Sequence, residues 1–525
     1  MTGHGASPTS ADASASDVGS PDLPEHVCHR AIEARDPRFD GTFFVGITTT
    51  RIYCRPVCPS RRADPGHRRF FGSAAAAEQA GFRPCLRCRP ELAPGRALVD
   101  AVSRLAAAAA QRIGAGALNG RPVASLASDL FVSERHLRRA LKRDLGVSPV
   151  ELAQTHRLLL AKRLLADTTL DVSGVASASG FQSLRRFNAL FRDRYRMSPT
   201  ALRRTSRSPG RPSGTTPGVG VEPSGEPLRL TISYRPPLAW DRVLALLRRN
   251  ALPGVEIFDG NRYGRAVRVD GLVGVVFAED VPERRALTLE ISTSLVPALM
   301  PLLARLRRLF DLDAEPAVVD AHLEEGGLAR LVRRRPGMRI PGAFDGFEVA
   351  MAILLLGGAT HSRPAPRRRR RIADRDLVHG VVEALGEPLQ PGTHGLVRLA
   401  PSPERVADAG ARGLGALGVP ERRATAIADL AARVARGEIR LDPAGDVADT
   451  YGALIELPWV GERLATVVAM RVLHWPDAFP ASDRALQRAA GVHGAATLRA
   501  RAEEWRPWRA YAALHLWADF YEGGA

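Results

Sequence analysis

Four of the five cysteines fall in two close pairs. Tyr53-Cys54-Arg55-Pro56-Val57-Cys58 carries a Cys-x3-Cys pair, and Arg83-Pro84-Cys85-Leu86-Arg87-Cys88 carries a Cys-x2-Cys pair 26 residues further on. Two such pairs suit a tetrahedral Zn2+ ion, one per chain, held by Cys54, Cys58, Cys85 and Cys88. Arginines crowd them: Arg51, Arg55, Arg61, Arg62, Arg83, Arg87 and Arg89. Two chemistries fit this spacing. A closed four-cysteine site can hold together a domain too small to fold alone. Alternatively, the metal keeps the sulfurs deprotonated and the arginines hold a phosphate against one of them, making it a nucleophile. The fifth cysteine, Cys28, lies outside the pairs.

Asp483 is a second candidate. It follows Ser482 in Phe479-Pro480-Ala481-Ser482-Asp483-Arg484-Ala485-Leu486, where a helical pattern begins. An aspartate there caps a helix by accepting from its first free amides. It can also stabilise a cation developing on a reacting sugar. Upstream, Leu454-Ile455-Glu456-Leu457-Pro458-Trp459-Val460-Gly461 lies between two helical patterns, with Gly461 placed 22 residues before Asp483. A glycine in such a turn lets backbone amides approach a phosphate closely.

The elements that must position these residues follow from pattern. Residues 42–48, rich in β-branched and aromatic residues, read as a strand, and residues 73–80 form an Ala-rich helix with Ser73 as N-cap and Gly81 as its stop. Residues 96–204 read as helical throughout, with two helix-turn-helix units. The first pairs residues 123–127 with 134–142, and the second pairs 172–176 with 183–192. A long helix over about 150–166 separates them. Ser133 caps the first recognition helix, and Arg135, His136, Arg138 and Arg139 on its early turns can reach base edges or phosphates. Arg185 and Arg186 occupy the same place in the second unit. Residues 205–227 are a Ser/Gly/Pro-rich linker. Beyond it, strand patterns at 228–234, 263–269 and 286–292 with flanking helices make a small α+β domain. The remainder is mostly helical.

The bulk composition agrees with these motifs. A chain of 525 residues exceeds one core, so three to five domains are expected. Its 74 Lys+Arg against 56 Asp+Glu give a net charge of +18 and a pI near 10.8. That favours a polyanion, with nucleic acid first. Five cysteines in this length argue against a secreted disulfide scaffold, and no apolar run reaches membrane-spanning length. Residues 1–23 lack the basic and apolar regions of a signal peptide and read as a disordered tail.

Specific resemblances then emerge. Ala34-Arg35-Asp36-Pro37-Arg38-Phe39-Asp40-Gly41, the first cysteine pair, and Ala80-Gly81-Phe82 with the second pair resemble the N-terminal domain of the bacterial Ada family. The resemblance implies that Cys54 takes a methyl group from a DNA methylphosphotriester by in-line attack, with the phosphodiester leaving. Cys58, Cys85 and Cys88 would be the remaining ligands, and Arg55 a DNA contact. A thioether leaves poorly, so the transfer is stoichiometric. It also removes a negative charge from the centre, so DNA affinity rises. The helical pair, above all Gly180-Phe181-Gln182-Ser183-Leu184-Arg185-Arg186-Phe187-Asn188, resembles the AraC-type DNA-binding domain, which follows the zinc domain in Ada proteins.

The C-terminal half resembles the AlkA-type, helix-hairpin-helix 3-methyladenine DNA glycosylases. The resemblance rests on Tyr234-Arg235-Pro236-Pro237-Leu238-Ala239-Trp240, on residues 336–348 (Pro-Gly-Met-Arg-Ile-Pro-Gly-Ala-Phe-Asp-Gly-Phe-Glu), on the hairpin, and on Trp505-Arg506-Pro507-Trp508-Arg509-Ala510-Tyr511. It implies that Asp483 is the catalytic carboxylate and that hairpin residues Val460 and Gly461 bind a DNA phosphate. Trp517 and Trp240 would line the base pocket, although Trp517 reads equally well as a core aromatic. An alkylated purine is cationic and leaves readily once it is out of the stack. Arg463 stands where lyase-type relatives have a Schiff-base lysine, and arginine cannot act as that amine. A monofunctional glycosylase is therefore expected. Three departures stand out. Trp459 replaces the hairpin's first glycine, which is expected to weaken one amide contact. Residues 355–371 differ from relatives and include Pro364, Pro366 and the run Arg367–Arg371. Val467 stands where one relative has Tyr.

The expected whole is multidomain and mainly α with small α+β parts. It comprises a tail (1–23), a four-cysteine zinc domain (24–95), an AraC-type double helix-turn-helix (96–204), a linker (205–227), an AlkA N-terminal-like α+β domain (228–305) and a helix-hairpin-helix glycosylase domain (306–525). The implied partners are alkylated and promoter double-stranded DNA, with RNA polymerase as a further candidate and no membrane. The implied location is the bacterial cytoplasm, with the nucleoid. The alternative is a damage-responsive regulator whose degenerate glycosylase domain only binds lesions.

Overall fold

The computed structural model describes residues 20–21, 23–95, 104–206, 226–357, 368–443 and 447–522. Nearly all of the expected tail and linker, and much of the altered segment at 355–371 with Pro364, Pro366 and Arg367, lie outside the described residues.

The cysteine-rich region opens with α1 (Glu25–Ala34) and builds a four-stranded sheet from β1 (Phe44–Ile47), β2 (Ile52–Cys54), β3 (Arg68–Phe71) and β4 (Arg83–Pro84), ordered β3-β1-β2-β4. Helix α2 (Ala74–Gln79) is capped by Ser73, whose side chain accepts from the Ala76 amide, as expected. Only β1 was legible as a strand. The others are two to four residues long, too short for a period of two to show. The parallel pairing of β2 with β4 sets Tyr53 beside Pro84, so the residues that follow, Cys54 and Cys85, emerge side by side.

Seven helices follow: α3 (Arg104–Gly114), α4 (Val123–Asp129), α5 (Glu134–Leu145), α6 (Pro149–Asp167), α7 (Val172–Ala178), α8 (Leu184–Tyr195) and α9 (Pro199–Ser206). The two helix-turn-helix units are α4–α5 and α7–α8. Ser133 caps α5 and Ser183 caps α8. The spacer α6 starts with a capping box between Ser148 and Glu151.

The next unit is a five-stranded antiparallel sheet of β5 (Leu228–Ser233), β6 (Glu256–Asp259), β7 (Arg262–Val269), β8 (Leu272–Val281) and β9 (Ala286–Ile291), ordered β5-β9-β8-β7-β6. It is flanked by α10 (Trp240–Arg249) and α11 (Leu299–Leu309). The sequence marked β5, β7 and β9 and missed β6 and β8. Residues 272–278 form a near-continuous apolar run, and the central strand they make does not alternate. The boundary expected at 305 falls inside α11, whose Leu302, Leu306 and Leu309 are buried in this unit's core.

The remaining helices are α12 (Pro316–Leu323), α13 (Ala329–Arg334), α14 (Gly346–Leu355), α15 (Arg368–Leu385), α16 (Pro403–Ala416), α17 (Glu421–Ala435), α18 (Val447–Ile455), α19 (Glu462–Arg471), α20 (Arg484–Ala489), α21 (Ala495–Arg501) and α22 (Arg509–Glu522). A hairpin of β10 (Glu387–Thr393) and β11 (Leu396–Leu399) interrupts them. Pro388 and Pro391 concealed β10, since proline ordinarily argues against a strand. One core cluster fills this helical unit. A second core joins Leu158, Phe181 and Phe187 of the helix-turn-helix region to Leu230, Leu289 and Leu299 of the sheet unit.

Candidate functional site

The parallel β2–β4 pair gathers the cysteines. The Cys85 amide donates to Tyr53 O at 3.0 Å, and the Sγ atoms of Cys54, Cys58, Cys85 and Cys88 all lie within 4.8 Å of one another. Backbone amides approach two of them: Arg55 N to Cys88 Sγ and Arg87 N to Cys85 Sγ, each at 3.4 Å. Four thiols this close do not titrate alike. Contact with Cys58 pushes Cys54 far up, while contact with Cys54 drives Cys58 far down and lowers Cys85 to about 6. Four sulfurs within 4.8 Å of one another cannot all ionise without a cation between them. Four sulfur donors at one centre therefore fit Zn2+, which neutralises all four at once. Cys54 is 9% exposed and Cys58 is more open. Cys28 is wholly buried in the adjoining core, its thiol raised to about 11 by burial.

The arginine surround is partly structural. Arg55 pairs with Asp40 and donates to Cys88 O at 3.1 Å, so its guanidinium is committed rather than offered to DNA. Arg89 is buried between Glu91 and Asp167 of α6. The sequence could not show this, because Asp40 and Asp167 arrive from distant segments. Arg51, Arg61 and Arg87 remain exposed.

Reasoning from sequence missed Glu78. Its fully buried carboxylate accepts from Tyr53 Oη at 3.1 Å, Thr155 Oγ1 at 2.9 Å and Arg194 Nη1 at 2.8 Å. Burial raises its pKa. One side chain thus ties the strand ending in Cys54 to α6 and to the last turn of α8. Nearby, Lys162 of α6 pairs with Glu91 and donates to Cys85 O.

Arg135, His136, Arg138 and Arg139 are exposed on α5, and Arg185 and Arg186 on α8. Arg138 pairs with Glu134 one turn before it, at 2.5 Å. A cleft of about 650 Å³ opens between the zinc region and α5, with Arg69, His136, Arg139, Lys142 and Arg143 in its wall.

The second site lies at the starts of α19 and α20. Asp483 caps α20, accepting from Ala485 N at 2.9 Å and Leu486 N at 3.2 Å. The same oxygen accepts from Trp517 Nε1 at 3.3 Å, and the other lies 3.8 Å from Arg463 Nη1. Asp483 is therefore both a cap and the meeting point of the hairpin helix with α22. Arg463 follows Gly461 in the first turn of α19. Val460 is 5% exposed and anchors the turn in the core. Trp459 takes φ +65°, the left-handed conformation a glycine would supply, so the turn keeps its backbone path despite the substitution. Val467 is buried.

Trp240 is a correction. Its indole packs on Phe310 and donates to Asn261 O at 2.9 Å within the sheet unit. It lies in the core cluster of that unit, apart from the cluster holding Trp517, and so does not line the Asp483 site. The Tyr-Arg-Pro-Pro segment that carried the resemblance is a packing motif.

The metal binding domain of Ada matches residues 27–91, a helix-turn-helix domain residues 126–205, and the AlkA N-terminal domain residues 229–345. A probable bifunctional transcriptional activator/DNA repair enzyme AlkA of Mycobacterium tuberculosis is 36% identical over 495 residues, 93% of this chain and 95% of the relative. DNA-3-methyladenine glycosylase 2 of Escherichia coli is 32% identical over 287 residues, 55% of this chain and 96% of the relative. The bifunctional transcriptional activator/DNA repair enzyme Ada of Escherichia coli is 34% identical over 140 residues, 26% of this chain and 37% of the relative.

Proposed function

The chain belongs to the family of bifunctional transcriptional activator/DNA repair enzymes that join an Ada metal-binding domain to an AlkA unit, and from that premise we propose that it reads alkylation damage on the DNA backbone with one half and excises alkylated bases with the other. The observation carrying the first activity is the cluster of four sulfurs beside exposed arginines. Zinc, when bound, keeps the thiolates ionised. Cys54 Sγ attacks the methyl carbon of a methylphosphotriester in line. The new S–C bond forms as the C–O bond breaks, and the electron pair leaves on the phosphodiester oxygen. The centre loses one negative charge, repulsion from DNA falls, and the exposed arginines of α5 and α8 hold promoter DNA more tightly. RNA polymerase is the partner an activator placed there would recruit.

The second activity is supported by Asp483, which sits beside Arg463 and Trp517 at the mouth of the hairpin helix. Asp483 stabilises the positive charge that develops on the sugar as an alkylated purine departs, and orients the water that replaces it. The Val460 amide is taken by Leu457 O at 3.2 Å, so the amides of Trp459 and Gly461 on either side of it are the ones that hold a neighbouring phosphate. Arg463 offers no amine for a Schiff base, so the strand stays intact. No helix of the described residues is long and apolar enough to cross a membrane, and we place the protein with DNA in the cytoplasm.

Two measurements test this. After exposure to methylphosphotriester DNA, the intact zinc-loaded protein gains the mass of one methyl group, and peptide mapping puts it on Cys54. A label on Cys58, the more open cysteine, overturns the assignment. Methylated DNA incubated with the protein releases 3-methyladenine, and borohydride traps no covalent DNA adduct. Lesion binding without base release would instead favour a regulator with a degenerate glycosylase unit.

A further inference from the structure

Among the large apolar side chains, Trp459 is oddly placed. It is 60% exposed while its neighbours Leu457 and Val460 are 2% and 5% exposed. Its backbone takes φ +65°, a conformation L-residues adopt at a cost and glycine adopts freely. The turn therefore holds a large indole in water on a strained backbone, where a glycine would avoid both penalties. Persistent strain at a surface turn points to a use for the side chain.

Three observations identify what meets it. The guanidinium of Arg422, at the start of α17, lies over the ring, 4.5 Å from its centroid, so a positive charge rests against one face of the indole. Among the described residues, the amides of Trp459 and Gly461 have no backbone acceptor, leaving two donors beside the ring for an anion. Two residues past Gly461, Arg463 approaches Asp483, so a strand seated on this turn presents its nucleotides to the carboxylate. An aromatic face, a cation and free amides on one turn match the requirements of a nucleic acid strand with an unstacked nucleotide. An apolar protein surface would use the ring but would leave the amides and the guanidinium unmatched.

We propose that Trp459 is a positioning residue that stacks on a nucleotide of the damaged strand next to the flipped base, with Arg422 fixing the ring. The proposal rests on the glycosylase reading in one respect: the turn must meet DNA. It goes beyond that reading by assigning a side-chain contact to the place where relatives offer only backbone. Stacking lowers the cost of holding the strand open after a base has left it, so the contact strengthens binding to lesion-like DNA more than to intact duplex.

The test uses the full zinc-loaded chain and a duplex carrying one abasic-site analogue, with undamaged duplex as reference. Trp459→Gly relieves the backbone strain and leaves Leu457 and Val460 seated, so the fold is retained. It is expected to lose roughly tenfold in affinity for the abasic duplex, with a much smaller loss on the reference. Trp459→Phe keeps a stacking face and stays within about threefold of wild type. DNA quenches the emission of wild type, and the Trp459→Gly variant lacks that component. In base release, KM rises for Trp459→Gly and kcat holds. Equal affinities of wild type and Trp459→Gly, with unchanged quenching, overturn the proposal. A loss in Trp459→Gly that Trp459→Phe does not restore overturns it too. Failure of wild type to release any base defeats the glycosylase reading alone, because the affinity and quenching comparisons still report stacking.

Discussion

Replacing Asp483 by Asn and by Ala separates two roles that one carboxylate holds at the start of α20. Asparagine caps helices about as well as aspartate, so Asp483→Asn is expected to melt within about 0.5 kcal/mol of wild type. Having lost the charge, it should release bases about 100-fold more slowly. Asp483→Ala loses both roles and should cost a further ~1 kcal/mol in stability. Thermal melts and base-release rates on the same preparations check the pair. If Asp483→Asn retains full activity, the residue is a cap and nothing more. The sequence supplied both readings of this residue, and the structure makes them compatible by letting one oxygen accept from two amides and from Trp517. It was less informative for Arg55 and Arg89. One of the two chemistries open to the arginine surround offered them to phosphate, yet each is neutralised by an aspartate brought from a distant segment. An ion pair across many residues leaves no local trace in the chain.

At the scale of elements, legibility followed length and capping. Helices α5 and α6 and the Ser133 cap were placed within a few residues, because a 3.6-residue period and an N-cap are both local signals. The short strands around the cysteines, the apolar β8 and the proline-bearing β10 were not, because their pairing is decided by partners. Helix α22 shows what only packing reveals. His515 on it is fully buried, and burial, aided by the charge of Arg335, lowers its pKa to about 4. The unfolded chain takes up that proton near pH 6.5. Between these values the unfolded state binds more protons, so stability rises with pH and is lost as pH falls from about 6.5 towards 4. The slope for this one group is about 1.4 kcal/mol per pH unit, roughly 3 kcal/mol in all. In urea melts across that window, wild type should lose stability relative to His515→Leu as the medium is acidified. Parallel pH dependences would place the acid sensitivity elsewhere.

At the scale of the molecule, the zinc region, the helix-turn-helix region and the sheet unit are joined by buried contacts rather than by chain connectivity alone. Glu78 binds Tyr53, Thr155 and Arg194 together, and Arg235 of the other half donates to Asp40 O at 3.1 Å, next to the Asp40–Arg55 pair. Glu78→Leu leaves Arg194 and two hydroxyls without their acceptor. Arg194 is partly solvated, so a loss of about 2 kcal/mol is expected, below the usual range for an orphaned buried charge. Denaturation followed by zinc release and by helix content should show one transition in wild type and two in the variant. Two transitions already in wild type would mean that the regions fold independently. The sequence suggested two halves on a tether. The shared core of Leu158, Phe181 and Phe187 with Leu230, Leu289 and Leu299 makes them one folded body. That union fixes a ratio. A thiolate that accepts one methyl group is used up, while a hydrolase works repeatedly. When both occupy one chain and one packed body, every sensor molecule made to answer damage delivers one copy of the excising unit. Degrading a whole spent chain therefore discards a working enzyme with it, so the two activities share one dosage.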